Sequence, residues 1–250
     1  MDGRVSAPRH LVTAHQANYL PYLGFFQKIL VSDLFVLVDD TQFVKRGAFG
    51  WIHRNRILGS DGEPLWLTVP ALTHDRYDQK ISEVEIDNRR DWRRKHWRSL
   101  ALCYAKAPHF KEHAATLEAI YAQPWTHLLP LSRALIEWFL AALSIRTPLR
   151  VASEYGITGQ GSDYVLELAR KTGATHYLSG THGRDYLKTE DFAAASCGLV
   201  FQDFTCLSYP QGRGERFQSH LCALDALFWN GADGTRRLLE AGARYEIPAL

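Results

Sequence analysis

His15, Gln16, Asn18 and Tyr19 fall in the stretch HQANYLPYLGFFQKI, which passes from polar side chains through a proline and a glycine into an aromatic, helix-like run. Imidazole titrates near working pH, so His15 is a candidate general base or a donor to phosphate, and its polar neighbours are candidates for positioning a substrate. A second polar cluster, Asp39, Asp40, Gln42 and Phe43, closes and follows the apolar run LFVLVDD; its carboxylates suit an amine or Mg²⁺. Taken singly, each cluster reads as an ordinary turn or a solvated strand end. Their equivalent places after two successive strands argue for one shared crevice.

Two further segments carry chemistry. RGAFGWIHRNRI brings Arg46, His53, Arg54, Asn55 and Arg56 close in sequence, and guanidinium forks match carboxylates or phosphates, so this is a candidate anion clamp. YLSGTHGRDYL places Ser179, Gly180, Thr181, His182 and Gly183 just past an apolar run, where glycines permit close backbone approach to a ligand. The GK[ST] ending of a phosphate-cradling Walker loop is missing, as is a GxSxG elbow. His109 and His113 are four apart, but no carboxylate or cysteine at zinc spacing completes a metal site, and no metal is expected there.

The elements that must hold these residues follow from periodicity. LVTAH and LFVLVDD read as strands, with a helix of two to three turns between them, a βαβ opening in which Leu23, Phe26 and Leu30 bury one helix face. LWLTVP (65–70) and ISEVEID (81–87) read as further strands forming an antiparallel pair or edge. A helical insert covers about 90–146. After it, strands near 149–152, 175–179 and 199–203 restore the β/α alternation, with a helix over SDYVLELARKTG capped by Ser162 or Asp163 and closed by Gly173. An amphipathic helix ends at Gly231. The expected architecture is one α/β domain over 1–250: a mainly parallel sheet with helices on both faces, nucleotidyltransferase-like, with the loops after residues 14, 39 and 179 at one edge.

Of the 250 residues 46% are hydrophobic, enough for a substantial core, and the net charge of +2 argues against a global field for nucleic acid. The densest basic run is RRDWRRKHWR (89–98), where helical spacing brings Trp92, His96 and Ser99 to one side and lines Arg90, Arg94 and Arg98 along another. A solvated helix anchored by its tryptophans is the stronger reading, and phosphate or RNA contact the weaker. The four cysteines show no paired spacing, MDGRVSAPRHLVTAH lacks an apolar signal region, and Arg133 and Glu137 interrupt the longest apolar run. A soluble cytoplasmic protein is expected.

At HQANYLPYLGFF, SDLFVLVDDTQFVKRG, NRI, WRRKHWRSL, YLSGTHGRDYL and QDF…YPQ the chain resembles the WbqC-like family of bacterial proteins, in order over nearly its whole length. Ala17 stands where proline is common in that motif, and Tyr22 where tryptophan is common. The resemblance implies a place in surface-polysaccharide or specialised-metabolite synthesis. More distantly, the order strand, YLPYLGFF, helix, strand, DDTQFVKRG is similar to the first βαβ unit of HIGH-type nucleotidyltransferases and pantothenate synthetase-like ligases, which implies ATP between the first loop and a later basic loop. Gly24 takes that motif's glycine, while Tyr22 and Phe25 stand at its histidine positions.

These readings lead to an expected transferase or ligase that joins an acyl or aminoacyl group to an amine-bearing sugar or small metabolite, with activation by ATP and Mg²⁺ left open. His15 would be the base, Asp39 or Asp40 would orient the amine, and Arg54 and Arg56 would stabilise developing negative charge. Gln16, Asn18, Tyr19, Gln42, Asn55, Ser179, Gly180 and His182 would bind a small-molecule substrate, nucleotide-linked or carrier-linked. The alternative is a non-catalytic or tRNA/RNA-binding accessory protein working through the 89–98 helix. A phosphoryl or glycosyl transferase ranks third, since no obvious DxD motif is present.

Overall fold

The computed structural model describes residues 8–45, 50–212 and 216–245, so Arg46 of the expected anion clamp lies outside the described residues. Five strands form the main sheet: β1 (Leu11–Gln16), β2 (Leu34–Val38), β5 (Leu149–Val151), β6 (His176–Ser179) and β7 (Gly198–Phe201). Their order is β5-β2-β1-β6-β7, and every pairing is parallel. The expected parallel α/β sheet is therefore present, and the loops after β1, β2 and β6 leave from one edge.

Strand alternation decides what each face buries. Phe35 and Leu37 of β2 join α1 (Leu23–Val31), α4 (Leu128–Ala142) and α7 (Ala223–Ala241) in the larger core, while Val36 and Val38 join α5 (Gly161–Lys171) and α6 (Thr189–Ala194) in a second one. Helices thus cover both faces, as a parallel sheet requires. In α1, Leu23 and Phe26 are buried as expected and Leu30 is half-buried. Phe26 stacks on Phe139 with ring centroids 4.1 Å apart, fastening α1 to α4.

Between the halves of the sheet come an antiparallel hairpin, β3 (Arg54–Leu58) and β4 (Pro64–Thr68), and the helices α2 (Trp92–Tyr104), α3 (Phe110–Ala122) and α4. Three expectations are corrected by the structure. β4 pairs with Arg54–Leu58, not with 81–87; the latter begins as a single 3₁₀ turn, Ile81–Glu83, and continues through isolated bridges Glu85↔His127 and Ala71↔Ile86. Its alternation reflects an extended segment laid over the helical region rather than a ladder. The N-cap of α5 is Gln160, one residue before the helix begins, and Ser162 instead accepts a hydrogen bond from the Lys188 amide at 3.0 Å. Gly173 does close α5, with φ 68°. Helix α7 breaks at Gly231, where φ 68° and ψ −178° interrupt two helical halves, so the expected end is a kink and a second helix follows. Its first turn holds Asp225, a fully buried carboxylate that accepts bonds from Tyr104 Oη, Tyr209 Oη and Gln211 Nε2 at 2.8 to 2.9 Å. Among the described residues, no helix is long and apolar enough to cross a membrane.

Candidate functional site

The chain leaves β1 for β2 and β5 on one side, then returns past β1 to β6 and β7 on the other, so the direction of winding switches between β1 and β6. At such a point the connecting loops diverge, and a crevice opens beyond the carboxyl ends of the two strands. The pairing shows the separation: β1 follows β2 as far as Gln16↔Val38, but its last partner in β6 is Thr13↔Leu178. Thr13 Oγ1 seals that last rung by donating to Leu178 O at 2.6 Å.

Against these strand ends lies Lys28 of α1, which is 2% exposed. Its ammonium donates to Ala14 O at 3.2 Å, just past the last pairing with β6, and a methyl group placed on Gly180 would lie 3.9 Å from Nζ. The amine therefore spans the ends of β1 and β6. Among the described residues it makes no ion pair with a carboxylate, and burial alone brings its pKa from the ordinary 10.5 down to about 7. Sequence reasoning passed over Lys28 because a lysine on a short surface helix normally carries its charge to water. The available signal was the run LGFFQKILV, apolar on nearly every side, which leaves the lysine no wet face.

His15 belongs to the same cluster. Its ring meets Phe25 edge-on at 5.1 Å, and its Nδ1–H donates to Gln16 O at 3.1 Å, leaving Nε2 as the acceptor. Burial, and then the charge of Lys28, lower its pKa from 6.5 to about 3. The imidazole is neutral at working pH. A base with so low a pKa accepts a proton weakly, whereas Lys28 titrates where proton exchange at neutral pH is most effective. Gln202, which follows β7, closes the floor with bonds from Nε2 to Gly24 O and Gln27 Oε1, both 2.7 Å. Among the described residues the side-chain Nε2 of Gln27 has no partner although it is buried, and the same holds for Oδ1 of Asn18 on the β1 exit loop.

The β2 end supplies the carboxylates. Asp39 is buried, and its two oxygens accept from Ser153 N at 2.9 Å and Ser153 Oγ at 2.8 Å, clasping β2 to the turn after β5. Asp40 accepts the Tyr164 hydroxyl at 2.6 Å, and burial together with that bond holds the phenol proton well above its usual range. Gln16 Nε2 reaches Thr41 Oγ1 at 3.4 Å, tying the first cluster to the second. Gln42 is exposed and donates to Tyr77 O at 2.9 Å. Past β6, Ser179 is buried and donates to Gly180 O at 3.1 Å, while His182 is exposed, with Asp185 at 3.5 Å.

Some expected ligand contacts turn inward. Tyr19 is 0% exposed, and its hydroxyl meets both His96 Nδ1 at 2.8 Å and the Tyr121 hydroxyl, which makes it a bolt between the β1 exit loop and the helices. Asn55 is buried and bonds Leu20 O through Nδ2, holding that loop against the hairpin where Leu20 has φ 46°. Arg54 and Arg56 face outward from the same strand. In the basic run 89–98, Arg89 and Arg94 pair with Asp87 and Asp91, Arg93 donates to Gln123 O, and Trp92 and His96 are buried. Three of its guanidinium groups are thus engaged locally. Among the described residues no group of three histidines, cysteines or carboxylates is arranged to hold a metal ion.

An open cleft of about 390 Å³ lies at the opposite edge of the sheet, lined by Ser32, Asp33, Arg146, Pro148 and Arg236 among others. Its charged groups serve the fold: Asp33 Oδ2 accepts the Leu11 amide at 2.7 Å, and Arg236 bonds Leu143 O at 3.2 Å and pairs with Glu240. Size favours this cleft and chemistry favours the switch point, where the buried amine lies; the latter is the stronger criterion.

Comparison with known proteins agrees with the motifs. Residues 16–237 match the model of the WbqC-like protein family. The chain is 36% identical over 220 residues, 87% of its length and 93% of the relative's, to a Mycobacterium tuberculosis (strain ATCC 25618 / H37Rv) protein called "Uncharacterized protein Rv1507c". No solved structure matches.

Proposed function

The chain belongs to the WbqC-like protein family, and from that premise we propose that it is a biosynthetic transferase or ligase joining an acyl or aminoacyl group to an amine-bearing sugar or small metabolite at the carboxyl ends of β1, β2 and β6. The observation that carries this reading is Lys28. A buried amine with only a backbone carbonyl as partner costs stability, and burial of this kind is how proteins obtain a lysine that exchanges protons near neutral pH.

The chemistry assigned to it is balanced. As the acceptor nitrogen bonds to the acyl carbon, the bond from that carbon to the donor's leaving group breaks and the nitrogen sheds a proton. Neutral Lys28 takes the proton. His15, fixed through Nδ1, presents Nε2 as a neutral acceptor that orients the incoming N–H, and Asp40 accepts from the free amine of the acceptor at the β2 end.

Thermal-shift screening against activated acyl donors and amino sugars tests the reading. A ligand at a hundred times its dissociation constant adds about 2.7 kcal/mol of stability. Lys28→Met should melt no lower than the parent and should lose that shift together with any turnover. A shift and turnover that survive in the variant would refute the role of the amine, and the absence of a shift with every donor class would refute the substrate class.

A further inference from the structure

The β3–β4 hairpin is amphipathic in the manner of a two-residue repeat. Asn55, Ile57 and Leu67 are buried inward, and Arg54, Arg56 and Trp66 point the other way, with Arg56 and Trp66 directly opposite in register. Trp66 is 41% exposed. Trp51, just before β3, brings its ring to 5.0 Å from that of Trp66, tilted by 38°. The Arg54 guanidinium lies 4.6 Å over Trp66, and that of Arg56 lies 5.5 Å from Trp51 and 5.8 Å from Trp66.

Both cations are held by backbone carbonyls. Arg54 Nε donates to Gly50 O at 2.9 Å and Arg56 Nη2 to His220 O at 3.4 Å, both backbone carbonyls, and Arg56 Nε is buried without a partner. Among the described residues neither arginine pairs with a carboxylate. A guanidinium held over an indole by its carbon still has N–H groups to offer, the groups that grip phosphate oxygens in pairs. An exposed indole beside two such cations adds a flat apolar surface for a ring. The hairpin is fastened to the loop leaving β1 through Tyr19 N to Ile52 O at 2.8 Å, and to the start of α7 through Cys222 N to Arg56 O at 2.8 Å. It therefore stands beside the exit of β1 rather than on a remote surface.

From this arrangement we propose that the Trp51–Trp66–Arg54–Arg56 face binds a nucleoside phosphate, the phosphates held by the two guanidinium groups and the base laid against Trp66. The inference deepens the group-transfer reading by naming a nucleotide as one substrate. It is tested by binding alone, so its failure leaves the Lys28 experiment untouched, and the reverse holds as well.

Titration followed by calorimetry, with ATP and UDP as purine and pyrimidine probes and inorganic pyrophosphate and uridine as controls, reads the proposal. At least one nucleotide should bind, pyrophosphate should bind at least tenfold more weakly, and uridine should not bind. Trp66→Ala should lower nucleotide affinity about tenfold and leave pyrophosphate unchanged, consistent with a stacking contribution of about 1–3 kcal/mol per base. Arg54→Lys with Arg56→Lys keeps the charge but removes the fork, and should weaken both phosphate ligands. Circular dichroism of each variant checks folding; should Trp66→Ala fail to fold, Trp66→Phe takes its place, with a smaller loss of the same sign. No binding of either nucleotide, equal binding of pyrophosphate, indifference to Trp66, or tighter binding of an RNA oligomer than of the mononucleotide would each overturn the proposal.

Discussion

Replacing Lys28 by methionine keeps an unbranched side chain one atom shorter and removes its charge, and the consequence for stability follows from its burial. In the folded chain the amine takes up its proton at about 7, in the unfolded chain at the ordinary 10.5. Between those values the unfolded state binds more protons, so stability rises with pH across that window and the full penalty applies below 7. The penalty is about 4 kcal/mol at pH 7.5 and about 1.5 kcal/mol at pH 9.5, a change of about 2.5 kcal/mol. Other titrating groups, such as Cys222, whose thiol burial pushes up to about 12, are shared by parent and variant and cancel in the difference. Urea denaturation of both proteins at the two pH values is the assay. Lys28→Met should be the more stable at pH 7.5 by more than at pH 9.5, with the gap closing by about 2.5 kcal/mol. A gap that stays constant to within about 0.5 kcal/mol would show that the amine is solvated or paired in solution, and its place in the chemistry would fall with it.

Phe26→Ala should cost about 3–5 kcal/mol, because it empties a buried site stacked on Phe139; Asn18→Ala should leave stability nearly unchanged, since its buried Oδ1 has no partner to lose, and should weaken ligand binding. A paired measurement of melting and affinity that finds Asn18→Ala strongly destabilising and neutral for binding would reduce the β1 exit loop to a structural turn. Tyr19→Phe should destabilise by about 1–3 kcal/mol, as His96 Nδ1 and the Tyr121 hydroxyl lose their common partner, with ligand affinity unchanged; a selective loss of affinity would return Tyr19 to the site.

The central sheet was legible because buried parallel strands read as short apolar runs, as β1, β2 and β7 do, while the short β5 (LRV) and β6 (HYLS) were placed by the β/α alternation around them. β3 was not: RNRIL puts two arginines and an asparagine into a strand whose ladder is secured by β4, and whose inward asparagine is satisfied by Leu20 O. The gathering of the loops after β1, β2 and β6 at one end of the sheet was legible at the level of topology. The state of each side chain was not. Tyr19 looked like a loop tyrosine and is covered by residues 77 and 102 positions away, while the burial of Lys28 depends on the packing of β1, α1 and the β6 exit, none of which a local pattern records.

The pairing of β1 with β6 joins segments 165 residues apart. During synthesis, at about 5–20 residues per second, β1 waits about 8–33 s for that neighbour to emerge, with one apolar edge already zipped to β2 and the other bare. A chain stalled before β6 would present an open strand edge made of Leu11, Val12 and Thr13 to any other strand nearby.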